Sequence, residues 1–295
     1  MITRLFLKET HARRVFKGAL GQNNHFLITI MIGLDAVERG DAHLSQDFST
    51  VWEPRDVQRS AQRSRQFVCK ALMAWLVDAI DGYISNLMSS PAIITNASLI
   101  TALRRERSIG GRVRRLASNC GEQSAIETLL VRVAIIWRNR LVHYKADNMP
   151  GPALSNELRH QAEAIASDYQ GLDIERLLLS LERTRSPTFK EITALVRSAH
   201  KWVQRIDSSL LTRIDLDDFI RSVLASYVQE DPGRRINNVW GKDIRSRLST
   251  LIQIAQNYGM TIDGTEFTNH VSDDVIQEMI QWTPARARAE LAPNG

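Results

Sequence analysis

Residues 122–147 read EQSAIETLLVRVAIIWRNRLVHYKAD, and the reading of this stretch decides the rest of the chain. Ile126, Leu129, Leu130, Val133, Ala134, Trp137 and Leu141 recur at helical spacing, so one broad face is apolar and a buried helix is expected. Glu122, directly after Gly121, suits the positive end of that helix. At the far end the apolar pattern gives way to Arg138, Asn139, Arg140 and His143.

On a regular helix Asn139 and His143 lie one turn apart, about 40° around the axis. Arg138 points about 100° to one side of Asn139, but its long stem can bring the guanidinium to the same patch. A permanent cation, a neutral amide and a group that titrates near neutrality then share one surface. Such a set suits holding a phosphodiester and moving protons around it. The plainer readings are a histidine capping a helix end without chemistry and, for Arg140, a solvated charge.

Working outward, helical periods recur almost everywhere and few segments alternate with period two, so the fold class expected is all-α, a helical bundle. Residues 25–38 read as a buried helix and 40–54 as a loop. The longest pattern runs from 55 to 86 with Phe67, Ala71, Ala74, Trp75, Ala79 and Ile80 as its inner face. Asn96 or Ser98 caps a short helix through Leu103. Helices follow at 157–168, 174–183 and, opened by Ser186-Pro187-Thr188, through Ile206. Beyond Leu211 the pattern continues at 216–229, 242–258 and 271–282, with a turn at Asp231-Pro-Gly233 and a frayed end from Pro284. The expected organisation is a helical domain over 1–210 and a C-terminal helical extension over 211–295. Trp75, Trp137 and Trp202 each sit in an apolar stripe and are read as core.

The balance of 38 Lys and Arg against 33 Asp and Glu is mildly basic and fits a polyanionic partner. Two cysteines, Cys69 and Cys120, give neither a disulfide framework nor zinc spacing, which favours a reducing, cytoplasmic location. The apolar run at Leu5–Leu7 is too short for a signal peptide, and the run from Phe26 to Leu34 too short to span a bilayer, so no membrane association is expected. No phosphate-binding glycine loop, dinucleotide turn or His-Glu-x-x-His is present, so no metal and no cofactor is expected.

The most basic segment holds Arg104, Arg105, Arg107, Arg112, Arg114 and Arg115 against the single Glu106, with Gly110 and Gly111 marking a turn between two short helices. These arginines are candidates for RNA-backbone contact, or else the solvated charges of a turn. Asp78 and Asp81 are candidate acidic partners for Arg138 or His143. Glu127, about three turns before Arg138, is too distant for that role.

Arg138-Asn139-x-x-x-His143 resembles the signature of the HEPN superfamily, small helical domains whose motif is an Arg, a short spacer and a His, often with a polar residue directly after the Arg. The resemblance covers this motif, its place on a helix and the all-helical setting of about residues 20–210. It implies a metal-independent endoribonuclease of the kind found in toxin–antitoxin and phage-defence systems, with RNA as substrate and an antitoxin or defence-system protein as partner. Arg138 would bind the scissile phosphate, His143 would act as general base or acid in attack by the ribose 2′-OH, and Asn139 would orient the phosphate or the imidazole. The chain holds one copy of the Arg-Asn-x-x-x-His pattern, and Arg39 with His43 and Arg197 with His200 are misspaced. One histidine serves poorly as both base and acid in a single step, so a homodimer is expected. Some members carry a modifiable tyrosine two residues after the histidine. Here Tyr144 is adjacent and Lys145 takes that place. The alternative is a non-catalytic HEPN-like protein that binds RNA, a nucleotide or a partner protein.

Overall fold

The computed structural model describes residues 4–42, 45, 47, 51–143, 149–262 and 269–292. The first part of the chain forms β1 (Phe6–Leu7), α1 (His11–Leu20), α2 (Asn23–Arg39), α3 (Val57–Leu87), α4 (Ala97–Arg105), α5 (Ile109–Asn119), α6 (Ile126–Val142), α7 (Pro152–His160) and α8 (Ala162–Asp168). The rest forms α9 (Ile174–Glu182), α10 (Phe189–Leu211), α11 (Leu216–Gln229), α12 (Pro232–Trp240), α13 (Ile244–Asn257), β2 (Met260–Thr261), α14 (Asp273–Gln281) and α15 (Pro284–Leu291). The fold is all-α, helices packed on helices, and the two-residue strands β1 and β2 pair antiparallel, Phe6 opposite Thr261.

The chain packs as two compact units. One, which carries the motif, is drawn from Phe16–Asp81 and Glu106–Val203; the other from Met1–Val15, Gly82–Arg105 and Gln204–Gly295. The sequence suggests a single division near 211, whereas the units divide at 203–204 and the second also takes in two earlier stretches.

In the motif unit the core comes from Met73, Leu76, Val77 and Ile80 of α3, Leu130, Val133, Ala134 and Trp137 of α6, and Leu195, Val196, Ala199 and Trp202 of α10, all fully buried. The expected inner face of α3 is therefore wrong by a rotation. Of the residues named for it only Ile80 is buried, while Phe67 is 71% and Trp75 58% exposed. The α3 sequence has apolar residues on two faces, and the one carrying Cys69, Leu72, Met73, Leu76 and Val77 turns inward. Trp75 is not core; its indole N–H donates to Ala19 O at 3.1 Å from the rim. Helix α2 is not buried either, since Leu27 alone among its described side chains is enclosed.

Local signals explain the helix ends. Thr188 and Glu191 form a reciprocal cap at α10: the Thr188 amide and hydroxyl donate to Glu191 Oε2 at 2.6 and 2.8 Å, and the Glu191 amide donates to Thr188 Oγ1. The basic segment does split into two helices, but at residues 106–108. Gly110 and Gly111 lie inside α5, where Ser108 caps the Gly111 amide at 3.0 Å. A Cβ at Gly111 would stand 2.3 Å from the Glu106 carboxyl carbon and would displace that carboxylate from Ser108.

In the second unit Asp231-Pro-Gly233 begins α12 instead of forming a free turn: Asp231 caps the Arg234 amide and Pro232 takes the first helical position. Pro284–Leu291 form α15, capped by Thr283 and anchored by buried Ala287 and Leu291, in place of the expected fraying; the closing Pro-Asn-Gly of that stretch lies outside the described residues. Trp240 and Trp282 stack at 5.9 Å, and the Trp240 indole donates to Met279 O at 2.8 Å.

Asp207, at the end of α10, is fully enclosed and accepts from the Thr10 amide at 3.1 Å and from the Thr10 hydroxyl, with Arg13 3.8 Å away. Burial pushes its carboxyl above the ordinary range, outweighing the Thr10 bonds and the Arg13 charge. The folded state thus holds this proton more tightly than the unfolded chain. Its contribution to stability is complete below the ordinary carboxylate value of about 3.9 and is lost as pH rises through the folded value. Urea midpoints measured from acid to neutral pH are expected to show this decline in the wild type and to lose it in Asp207→Asn. Parallel profiles for the two would refute the assignment.

Candidate functional site

Helix α6 is set up from its start. Gly121, at φ +75°, ends α5, and the Glu122 amide donates back to Ala117 O at 2.8 Å, so Glu122 belongs to the close of α5 and not to the first turn of α6. The acid in that first turn is Glu127, which is buried and accepts from the Tyr169 hydroxyl at 3.2 Å. Burial first, then Glu127, pushes the Tyr169 phenol well up.

The last turn of α6 is held by the loop after α9. The Trp137 indole N–H donates to Arg185 O at 2.8 Å, and Arg140 Nη2 donates to Thr184 Oγ1 at 2.7 Å and Glu182 O at 3.2 Å. Arg140 is therefore a structural tie and not a solvated charge. Thr184 has φ +51°, a left-handed conformation unfavourable for a β-branched residue. The surrounding bonds, including its own amide to Leu181 O at 3.0 Å, hold it there.

Helix α6 stops at Val142. His143 takes an extended conformation, φ −103° and ψ 111°, while its amide still donates to Asn139 O at 2.9 Å. The imidazole therefore leaves the helical position that the turn angle assigns it. Arg138, not Asn139, meets the ring: Arg138 Nη1 lies 3.5 Å from His143 Nε2. The Arg138 stem is half-buried, its Nε enclosed without a hydrogen-bond partner among the described residues, while the outer nitrogen reaches the exposed imidazole. Asn139 is half-buried beside them. Among the described residues no carboxylate pairs with Arg138 or His143. A guanidinium and an imidazole nitrogen at this spacing can each reach an oxygen of one phosphate. Tyr144, Lys145 and His43 lie outside the described residues.

The other sequence candidates are dispersed. Asp81 pairs with Arg112 at 2.5 Å, and Asp78 is exposed on α3. Arg115 lies 3.3 Å from Glu106, whose carboxyl is held below its ordinary range by the Ser108 amide and hydroxyl and then by Arg115. Arg104, Arg105, Arg107 and Arg114 are exposed. Arg104 and Arg105 belong to the second unit, the other four to the motif unit.

Two cationic features escaped the sequence reading. Arg132 lies two turns before Asn139, about 20° from it around the axis. Burial and then the neighbouring Arg114 charge pull its guanidinium down from the ordinary value, and it stays charged. Its place in an apolar run concealed it. The second is a cavity of about 280 Å³ between the Tyr169–Gln170 turn and α10, lined by Lys190, Thr193, Arg197 and His200. Lys201 Nζ lies 4.9 Å and Arg197 Cζ 5.8 Å from the Tyr169 ring centre. The seven- and eleven-residue steps from Lys190 to Arg197 and Lys201 were the signal that these share one helical face.

Among the described residues no helix is long and apolar enough to cross a membrane, and no three His, Cys, Asp or Glu residues come together as metal ligands would. Comparison with protein-family models, characterised proteins and solved structures finds no match.

Proposed function

We propose that the chain is a metal-independent endoribonuclease of HEPN type, a toxin or anti-phage effector of the cytoplasm. The observation that carries this reading is the contact of Arg138 Nη1 with His143 Nε2 at the exposed end of an otherwise buried helix. In the reaction the ribose 2′-oxygen attacks the adjacent phosphorus and the 5′-oxygen leaves, giving a 2′,3′-cyclic phosphate and a 5′-hydroxyl. Arg138 offsets the charge gathering on the phosphoryl oxygens. His143 takes the 2′-hydroxyl proton or supplies one to the leaving oxygen, and a second copy's imidazole performs the complementary transfer. Asn139 orients the phosphate or the ring. Arg114 and Arg132, with Arg107 nearby in sequence, offer a cationic approach for the strand.

Two substitutions in the reagents test the chemistry. Cleavage is expected to persist in excess EDTA and to disappear when the ribose at the cut site is 2′-deoxy. A strict requirement for a divalent ion, or cleavage of the deoxy substrate, would overturn the mechanism. A second reading, a non-catalytic HEPN-like protein that binds RNA or a nucleotide, is favoured by the cationic cavity at Lys190 and Arg197. It predicts binding without any 5′-hydroxyl product.

A further inference from the structure

The motif unit leaves an apolar surface in water that its own core does not account for. Phe26 and Ile30 of α2 are 51 and 43% exposed, beside Phe67 and Trp75 of α3, which are 71 and 58% exposed. The three aromatic side chains carry about 150–250 Å² each, so at these exposures they leave on the order of 350 Å² uncovered. With Ile30 the total is roughly 400 Å², the scale of a monomer's largest and often functional patch and about half of the roughly 800 Å² that each partner gives a standard interface.

The exposed stripe of α3 has an order that selects its occupant. Arg63, Phe67, Ala71, Trp75 and Asp78 fall at successive turns of one face, and all five are exposed. The stripe is cationic at one end, anionic at the other, aromatic on both sides of the centre and small at the centre. Laid antiparallel on its own image about a two-fold axis at Ala71, it places Phe67 against the partner's Trp75 and Arg63 near the partner's Asp78. The two alanines let the backbones approach. Beside the stripe, Phe26, Leu27, Ile30, Val68, Leu72 and Trp75 line a cavity of about 210 Å³, so the surface has a hollow as well as projecting side chains. Such self-complementarity is what an isologous contact requires. At its edge Arg65 is already paired with both Asp35 and Glu38 of α2, so this cation is held within the chain.

We infer that this face pairs with a second copy of the chain, α3 against α3 in antiparallel register about Ala71. The inference stands apart from the nuclease reading, since the stripe is exposed whatever Arg138 and His143 do. Light scattering and sedimentation of the full chain at micromolar concentration are expected to give a dimer. Phe67→Asp, which alters an exposed side chain and leaves the helical circular dichroism unchanged, is expected to weaken it by roughly 100-fold or more because the change enters the interface twice. Arg63→Asp and Asp78→Arg, each alone, set like charges against each other and are expected to weaken the dimer by about 3–10-fold. The double variant is expected to restore it. A wild-type chain that stays monomeric to about 100 μM, far above the Kd range of stable interfaces, would overturn the pairing, as would a dimer indifferent to Phe67→Asp or a double variant without rescue. A dimer that cleaves RNA but is indifferent to Phe67→Asp defeats this face alone, and a dimer that responds to Phe67→Asp but does not cleave defeats the nuclease reading alone.

Discussion

His143→Ala is expected to lower RNA cleavage by about 10²–10⁴-fold, the usual contribution of a positioned general acid or base. Arg138→Ala is expected to cost about 10²–10³-fold, the scale of one donor to the transition-state charge. Neither change should disturb folding. His143 is exposed and already outside the helix, and the Arg138 guanidinium makes no carboxylate pair among the described residues. Helical circular dichroism and urea midpoints should therefore match the wild type. Arg138→Lys sharpens the test: it keeps the charge but loses the planar fork, so cleavage should remain well below wild type. Undiminished cleavage in either alanine variant would remove the active site from this end of α6. Loss of cleavage together with loss of helicity would leave the chemistry of the pair unsupported.

Trp137→Ala is expected to lower stability by about 3–5 kcal/mol, a large share of what a typical domain has. The side chain is fully buried one residue before Arg138, and its removal also leaves Arg185 O without its donor. Trp137→Phe, which keeps most of the packing, is expected to cost about 1–2 kcal/mol, mainly through the lost hydrogen bond. Because the same indole ties the loop at 182–185 to the last turn of α6, the Phe variant should also lower cleavage while remaining folded. Urea unfolding followed by tryptophan fluorescence decides the stabilities. Equal costs for the two variants would show that the hydrogen bond, and not the volume, carries the effect.

The all-α fold was legible because helical period is a local property, and the apolar stripes of α6 and α10 turned inward as read. The face of α3 was not, since two of its faces are apolar and a Trp argues for burial wherever it occurs. Trp75 stays at the rim while the smaller Met73, Leu76 and Val77 fill the core. The geometry of the candidate site was half legible. Arg138, Asn139 and His143 were named from spacing, but the turn angle paired Asn139 with His143, and that geometry presumes a helix running past 143. It ends at Val142, which brings the Arg138 guanidinium to the ring instead. Nor did local pattern reveal that Arg140 is consumed by the Thr184 loop, because a contact across more than forty residues leaves no periodic trace.

The second unit is sewn from both extremities of the chain. Leu5 O accepts the Val271 amide, Phe6 and Leu7 pair with Thr261 and Met260, and Arg14 Nη1 donates to the carbonyls of Gln256 and Asn257. A fragment cut at residue 210 would keep this leading strand and discard everything it pairs with, leaving Leu5, Phe6 and Leu7 as a bare, sticky edge. Removing the first fifteen residues would unseat the tail in the same way. Any trimmed version of the protein must therefore retain its head and its tail together.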